Sequence, residues 1–312
     1  MLDKFNFYDI YGYLLPGTLL LLLVWLPIGL VSNAWPAGDW SSAVIGVVLA
    51  YISGHMLQMF AGKVLPSSVE KGADKQDRFP SERLLDSDNG KMSFEAKTEI
   101  ADLIKKKFTL DVAIGKKEDK PSKSKALDQV RRDAFYLARH SLILGKDAGY
   151  AEQFESMYAL ARGMAAAMGL AVAYYLGWAF RVMEVSWAGF AAVIAVTLGL
   201  LAAINASALL NMTSLSLPPE WTRRLELLCA LGLLAASLGI GYGLGQRYQV
   251  TSRHAAALLL FAGGALLGSL RSYSTYRSFI ETFSLTVWRD FLSDAKNEQA
   301  GTNSPGGKPQ GK

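Results

Sequence analysis

Residues 14–31 read LLPGTLLLLLVWLPIGLV, eighteen positions without an acid, a base or an amide. A helix needs about 20 such residues to cross the hydrocarbon of a bilayer. No water is available there, so the backbone must satisfy its N–H and C=O groups within the segment, and the run specifies a transmembrane helix. Five more apolar runs of similar length follow, at 43–62, 163–180, 187–209, 225–245 and 254–270. The averages for the 312 residues, 51% hydrophobic and 19% charged, hide how these runs are separated. Residues 63–162 hold 20 of the 32 Lys and Arg residues and 17 of the 27 Asp and Glu residues. That division excludes a simple soluble globule and a disordered chain. A disulfide scaffold is excluded as well, because Cys229 is the only cysteine. The expected fold is all-α: a polytopic membrane helix bundle of about six spans with a small helical cytoplasmic domain.

The expected divisions follow the composition. Residues 1–62 form an N-terminal transmembrane hairpin, 63–162 a charged helical cytoplasmic domain and 163–270 a four-span region. Residues 271–295 form an amphipathic cytoplasmic helix, and 296–312 a disordered tail. Orientation comes from the basic residues, which accumulate on the cytoplasmic side. With the N-terminus inside, the outside loops carry only Arg181, Arg247 and Arg253, and the other 29 basic residues are inside. Both termini are therefore expected in the cytoplasm. Ser32-Asn33-Ala34 has the small-x-small pattern of a signal-peptide cleavage site. Against cleavage, the apolar run exceeds the usual 7–15 residues of such a peptide, and Asp3 and Asp9 dilute its charge.

Within the charged segment, 64–91 reads as a polar connector broken by Pro, Gly, Asp and Ser. A helix is predicted from Ser93, with Phe94, Ile100, Leu103, Ile104 and Phe108 at helical spacing. Residues 115–125 read as a solvated linker. A second amphipathic stretch carries Leu127, Val130, Ala134, Leu137, Ser141 and Leu144, and a third begins near Ala148 and runs into the third span. Beyond the sixth span, Tyr273, Tyr276, Ile280, Phe283, Val287 and Phe291 step by three or four residues and define one apolar face. That face has three possible covers: the central helices, anionic lipid, or a partner.

The main polar signal inside a span is Tyr51, His55 and Gln58, at i, i+4 and i+7 on one helix face. Such a face can contact a substrate, a proton or a lipid headgroup, or it can bond neighbouring helices and set their packing. Packing is the favoured reading, because no acid accompanies His55 and Gln58 lies near the inner edge. Gly239/Gly243, Gly241/Gly245 and Gly264/Gly268 are Gly-x-x-x-Gly pairs that permit close helix approach, between the fifth and sixth spans or between copies of the chain. His55, His140 and His254 fall in distant segments and Cys229 stands alone, so no metal site and no cofactor are expected. The surplus of three positive charges in 63–162 is too small to indicate nucleic acid. Expected partners are the lipid bilayer, a cytoplasmic protein bound through 92–145, and further copies of the chain.

Phe7–Gly17, FYDIYGYLLPG, and residues 51–58, YISGHMLQ, resemble the opening of a group of uncharacterised bacterial multi-pass inner-membrane proteins. The resemblance covers about the first 60 residues and the general layout. It implies a first hairpin, a polar insert, further spans and an aromatic-rich helix after the last one. The fifth and sixth spans depart from that layout, and the group brings no activity with it. The functional expectation is a non-enzymatic interaction or effector component, with a channel or transporter as the alternative and a membrane enzyme acting on lipid third.

Overall fold

The computed structural model describes residues 8–36, 38–65, 70–71, 77–114, 121–145, 149–182, 219–248 and 252–302. Among these, regular structure is helical apart from one two-residue antiparallel pair, β1 (Glu70–Lys71) with β2 (Asp77–Arg78). The helices are α1 (Leu15–Ser32), α2 (Trp40–Val64), α3 (Pro80–Arg83), α4 (Phe94–Phe108), α5 (Pro121–Gly145), α6 (Gly149–Val182), α7 (Pro219–Arg247) and α8 (Ser252–Thr302). A π-helical turn, Asp9–Leu14, leads into α1. The chain divides into two compact units, residues 1–66 with 159–276 and residues 67–158 with 277–312.

The first unit is built mainly of long apolar helices. Four helical stretches among the described residues are long and apolar enough to cross a membrane: Asp9–Ser32, Trp40–Gly62, Tyr150–Val182 and His254–Asn297. The expected fifth span, 225–245, is helical as part of α7, and the expected fourth, 187–209, lies outside the described residues. α1 ends at Asn33, which takes the left-handed conformation with φ 54°, a position that asparagine tolerates better than most residues. α1 and α2 meet backbone to backbone. A β-carbon at Gly17 would overlap the Ala50 carbonyl, and one at Gly54 would overlap that of Tyr13. α6 is the most enclosed of the four stretches, with 61% of its apolar window buried against 17–22% for the others. Its buried face is rich in small residues, Ala165, Ala166, Ala167, Ala171 and Ala179. Helices in lipid associate through packing rather than hydrophobic burial, and small residues let them approach.

The second unit has an apolar core of its own. Ile100 and Ile104 of α4, Phe135 and Leu142 of α5, and Val287, Trp288 and Phe291 of α8 are buried together. α4 is closed at both ends. The Ser93 side chain accepts the Ala96 N–H, and Thr109 closes the helix at φ 58° after Lys105, Lys106 and Lys107.

Four expectations are corrected here. The polar connector expected over 64–91 is partly core from 79 onward, because Ser81, Glu82, Leu84 and Leu85 are buried, as is Met92 just beyond it. The linker expected over 115–125 stops by Pro121, where α5 begins; proline suits a helix start because its missing N–H would have no partner there. The tail expected from residue 296 is helical to Thr302. The stripe read along α5 is rotated: Leu137 and Leu144 are exposed, as is Phe94 of α4, while α5 buries Arg131, Ala134, Phe135, Ala138 and Leu142.

Candidate functional site

Tyr51, His55 and Gln58 do share one side of α2, and the N-terminal π turn lies against it. Tyr13 stacks on the His55 ring at 3.6 Å between centroids, and Tyr51 meets it edge-on at 4.6 Å. Tyr8 extends the cluster through an edge contact with Tyr13 at 5.4 Å, and the Tyr51 hydroxyl lies 3.5 Å from the Asp9 carboxylate. The imidazole is thus held between aromatic rings, and Asp9 brings to the cluster, through Tyr51, the acid that spacing along α2 does not show.

Gln58 is buried and bonded at both ends of its amide. Its Nε2 donates to the Gly12 carbonyl at 2.7 Å and to the Ala159 carbonyl at 2.6 Å. Its Oε1 accepts from Arg162 Nε at 2.9 Å. One side chain therefore ties α2 to both the π turn and α6. Gly163 sits at the same crossing, where a β-carbon would come within 2.7 Å of Pro16 and 2.8 Å of Gln58 Nε2. Other polar groups in the unit are used in the same way. Tyr174 and Tyr175 donate to the carbonyls of Val24 and Leu23 at 3.0 and 2.8 Å, and Ser269 donates to that of Ala165 at 2.8 Å. In hydrocarbon such bonds are glue between helices.

The glycine pairs separate into two kinds. Gly241 faces α6, where a β-carbon would overlap the Tyr174 carbonyl, and Gly177 of α6 answers it against the Leu238 carbonyl. Gly245 approaches Arg181 and Trp178, Gly268 approaches Met168, and Gly239 is buried. Gly243 and Gly264 have nothing within 4 Å. The observed close contacts of Gly241, Gly245 and Gly268 are thus made with α6, rather than between the expected fifth and sixth spans.

Sequence reasoning missed an ionic cluster in the second unit. Arg131 is fully buried, and its terminal nitrogens donate to Asp86 Oδ1 at 2.5 Å and to the carbonyls of Ala113, Glu82 and Leu85 at 2.9, 3.3 and 3.4 Å. Lys97, also buried, donates to the carbonyls of Asp86 and Asn89 at 2.6 and 2.5 Å. Glu82 accepts from Arg132 Nε at 2.7 Å and from the Phe79 N–H at 3.2 Å. Trp288 Nε1 donates to the Ser81 carbonyl at 3.2 Å. Burial raises the Glu82 carboxyl above its ordinary value and lowers the Lys97 ammonium below its own. These bonds fasten residues 79–92, whose backbone groups would otherwise be buried without partners. Among the described residues, no three His, Cys, Asp or Glu side chains come together as metal ligands.

No protein-family model, curated protein or solved structure matches this chain. What it does is therefore read from its own residues.

Proposed function

We propose that this is a multi-pass protein of the bacterial inner membrane, with about six spans and both termini in the cytoplasm. Its helical cytoplasmic unit acts, without chemistry of its own, as an interaction or effector component. The observation that carries this reading is the outer face of α5, where Leu137, Ile143 and Leu144 are exposed, Leu144 by 71%. Contiguous exposed apolar side chains on a folded, charged unit mark an interaction surface. The face belongs to the 92–145 segment that the sequence assigns to a protein partner. Support for the orientation comes from the basic residues, only three of which fall in the outside loops. The bonding of Gln58, Tyr174, Tyr175 and Ser269 to helix carbonyls favours a structural membrane unit over a solute pathway.

The test uses the full chain in native membranes, with a photo-crosslinking residue at position 143. One discrete crosslinked product is expected, reduced at least tenfold in a Leu137→Glu/Leu144→Glu variant and unchanged in Lys106→Glu. Ion or solute flux through purified protein in liposomes, with no such product, would favour the channel reading instead.

A further inference from the structure

A cavity of about 140 Å³ lies within the second unit, between α5, α6 and α8. Five aromatic side chains wall it: Phe79, Phe135, Tyr136, Tyr158 and Phe283. Its charged lining is Arg132, Arg139 and Glu155. We infer that this cavity is a binding site for a small aromatic carboxylate, a ligand that neither the docking face of α5 nor the membrane bundle requires.

Size selects the ring. A cavity of about 150 Å³ with apolar walls accommodates benzene, so this one has room for a six-membered ring. The walls favour a π-system over an aliphatic chain, since Phe135 and Phe283 already stand edge-to-face at 5.9 Å and Tyr158 lies 5.6 Å from Phe283. Edge and offset contacts of this kind extend readily to a further ring.

Hydrogen-bond donors select the carboxylate. Two guanidinium groups line the cavity with Glu155, and the Glu82 carboxylate pairs with one of them, so recognition rests on the remaining N–H groups rather than on a net charge. Each arginine is held by an acid: Arg132 by Glu82 through Nε, and Arg139 by Glu155 through one terminal nitrogen. A guanidinium has five N–H donors in a fixed fork, so neither pairing exhausts it. Arg132 is oriented further by the Phe79 ring, 6.0 Å away. The fork of a pre-positioned arginine matches a planar carboxylate in a way that a single ammonium does not. Glu155 is then an internal competitor for Arg139, and removing its charge should strengthen binding rather than weaken it.

The experiment follows 4-fluorobenzoate by ¹⁹F NMR with the full-length protein in nanodiscs, and uses 4-fluorobenzamide as the neutral isostere. Saturable binding of the benzoate is expected, displaced by unlabelled benzoate, with the benzamide at least tenfold weaker. Arg139→Gln should weaken benzoate binding at least tenfold and leave the benzamide unchanged. Glu155→Gln should tighten benzoate binding several-fold, which a merely structural role for the pair would not do. Where Arg139→Gln fails to fold by thermal unfolding, Glu155→Gln decides alone. The inference is overturned by no saturable 4-fluorobenzoate binding up to about 10 mM, well short of what about ten well-placed heavy atoms should achieve. It is equally overturned by equal affinity for the two probes, or by a Glu155→Gln variant that does not tighten.

Discussion

Arg131→Met tests the account of residues 79–92 most directly. The substitution keeps roughly the volume of the side chain and removes four bonds, one to Asp86 and three to carbonyls. Asp86, only 14% exposed, then loses its bond to Arg131 and retains the attraction of the neighbouring Lys97 ammonium. Removing one partner of a buried ion pair costs about 3–5 kcal/mol, because the remaining charge stays desolvated without that partner. At about 1.4 kcal/mol per factor of ten, hydrogen-exchange protection of 79–92 should fall roughly 100- to 4,000-fold. The measurement is exchange followed by mass spectrometry on the full chain, with the amides of α1 and α2 as an internal reference expected to keep their protection. Adding Asp86→Asn to Arg131→Met should restore part of the loss, since the two sites share one interaction. A fall of less than about tenfold in the single variant would refute the argument, because the segment would then be held by its apolar contacts alone.

Three further outcomes follow from the geometry. Gln58→Leu should destabilise the membrane unit by about 2–4 kcal/mol, from two interhelical bonds and one to a guanidinium; His55→Leu, which loses ring contacts, should cost about 0.5–1.5 kcal/mol. Both are measurable by denaturant titration in mixed micelles. Gly241→Ala should cost about 1–3 kcal/mol through overlap with the Tyr174 carbonyl, while Gly243→Ala, with open space around it, should stay within about 0.5 kcal/mol by the same titration. The buried Glu82 carboxyl has its folded value raised above 4.5, so the folded state holds its proton more tightly than the unfolded chain. Stability from this group is therefore full below about pH 4.5 and is lost as pH rises through the folded value; thermal unfolding of the second unit across that window should slope downward in the wild type and flatten in Glu82→Gln.

What the sequence reveals depends on whether a constraint is local. Long uncharged runs are legible because hydrocarbon acts on every residue of a span. Most of the face of α8 is equally legible: Tyr276, Ile280, Phe283, Val287 and Phe291, spaced by three or four, are buried, while Tyr273 at its start is only half-buried. Tyr51, His55 and Gln58 can be read as one face by the same periodicity, but their partners cannot. Ala159 and Arg162 lie about 100 residues further along the chain, and no spacing rule connects them to Gln58. Gly-x-x-x-Gly spacing likewise shows which face of α7 is small without naming α6 as the helix that covers it.

The misreadings in the second unit share one cause. α5 seemed to bury its leucines, whereas its core face is made of two alanines, Phe135, Leu142 and an arginine. A buried arginine looks like a solvent residue until its four acceptors are known, and those acceptors sit in 82–86 and at 113. The polar composition of 79–92 is not evidence of exposure either, because its bonds come from α4, α5 and a tryptophan 207 residues away from Ser81. A consequence follows for any search for partners. The 92–145 segment is the part expected to bind a partner, yet its core is completed by Leu84, Leu85, Phe283, Val287, Trp288 and Phe291. Cut free, it would expose Ile100, Ile104, Phe135 and Leu142 to water, and those side chains would capture proteins nonspecifically. The docking proposed for α5 is therefore properly tested only on the full chain, where the inner face is occupied and Leu137, Ile143 and Leu144 are exposed apolar residues.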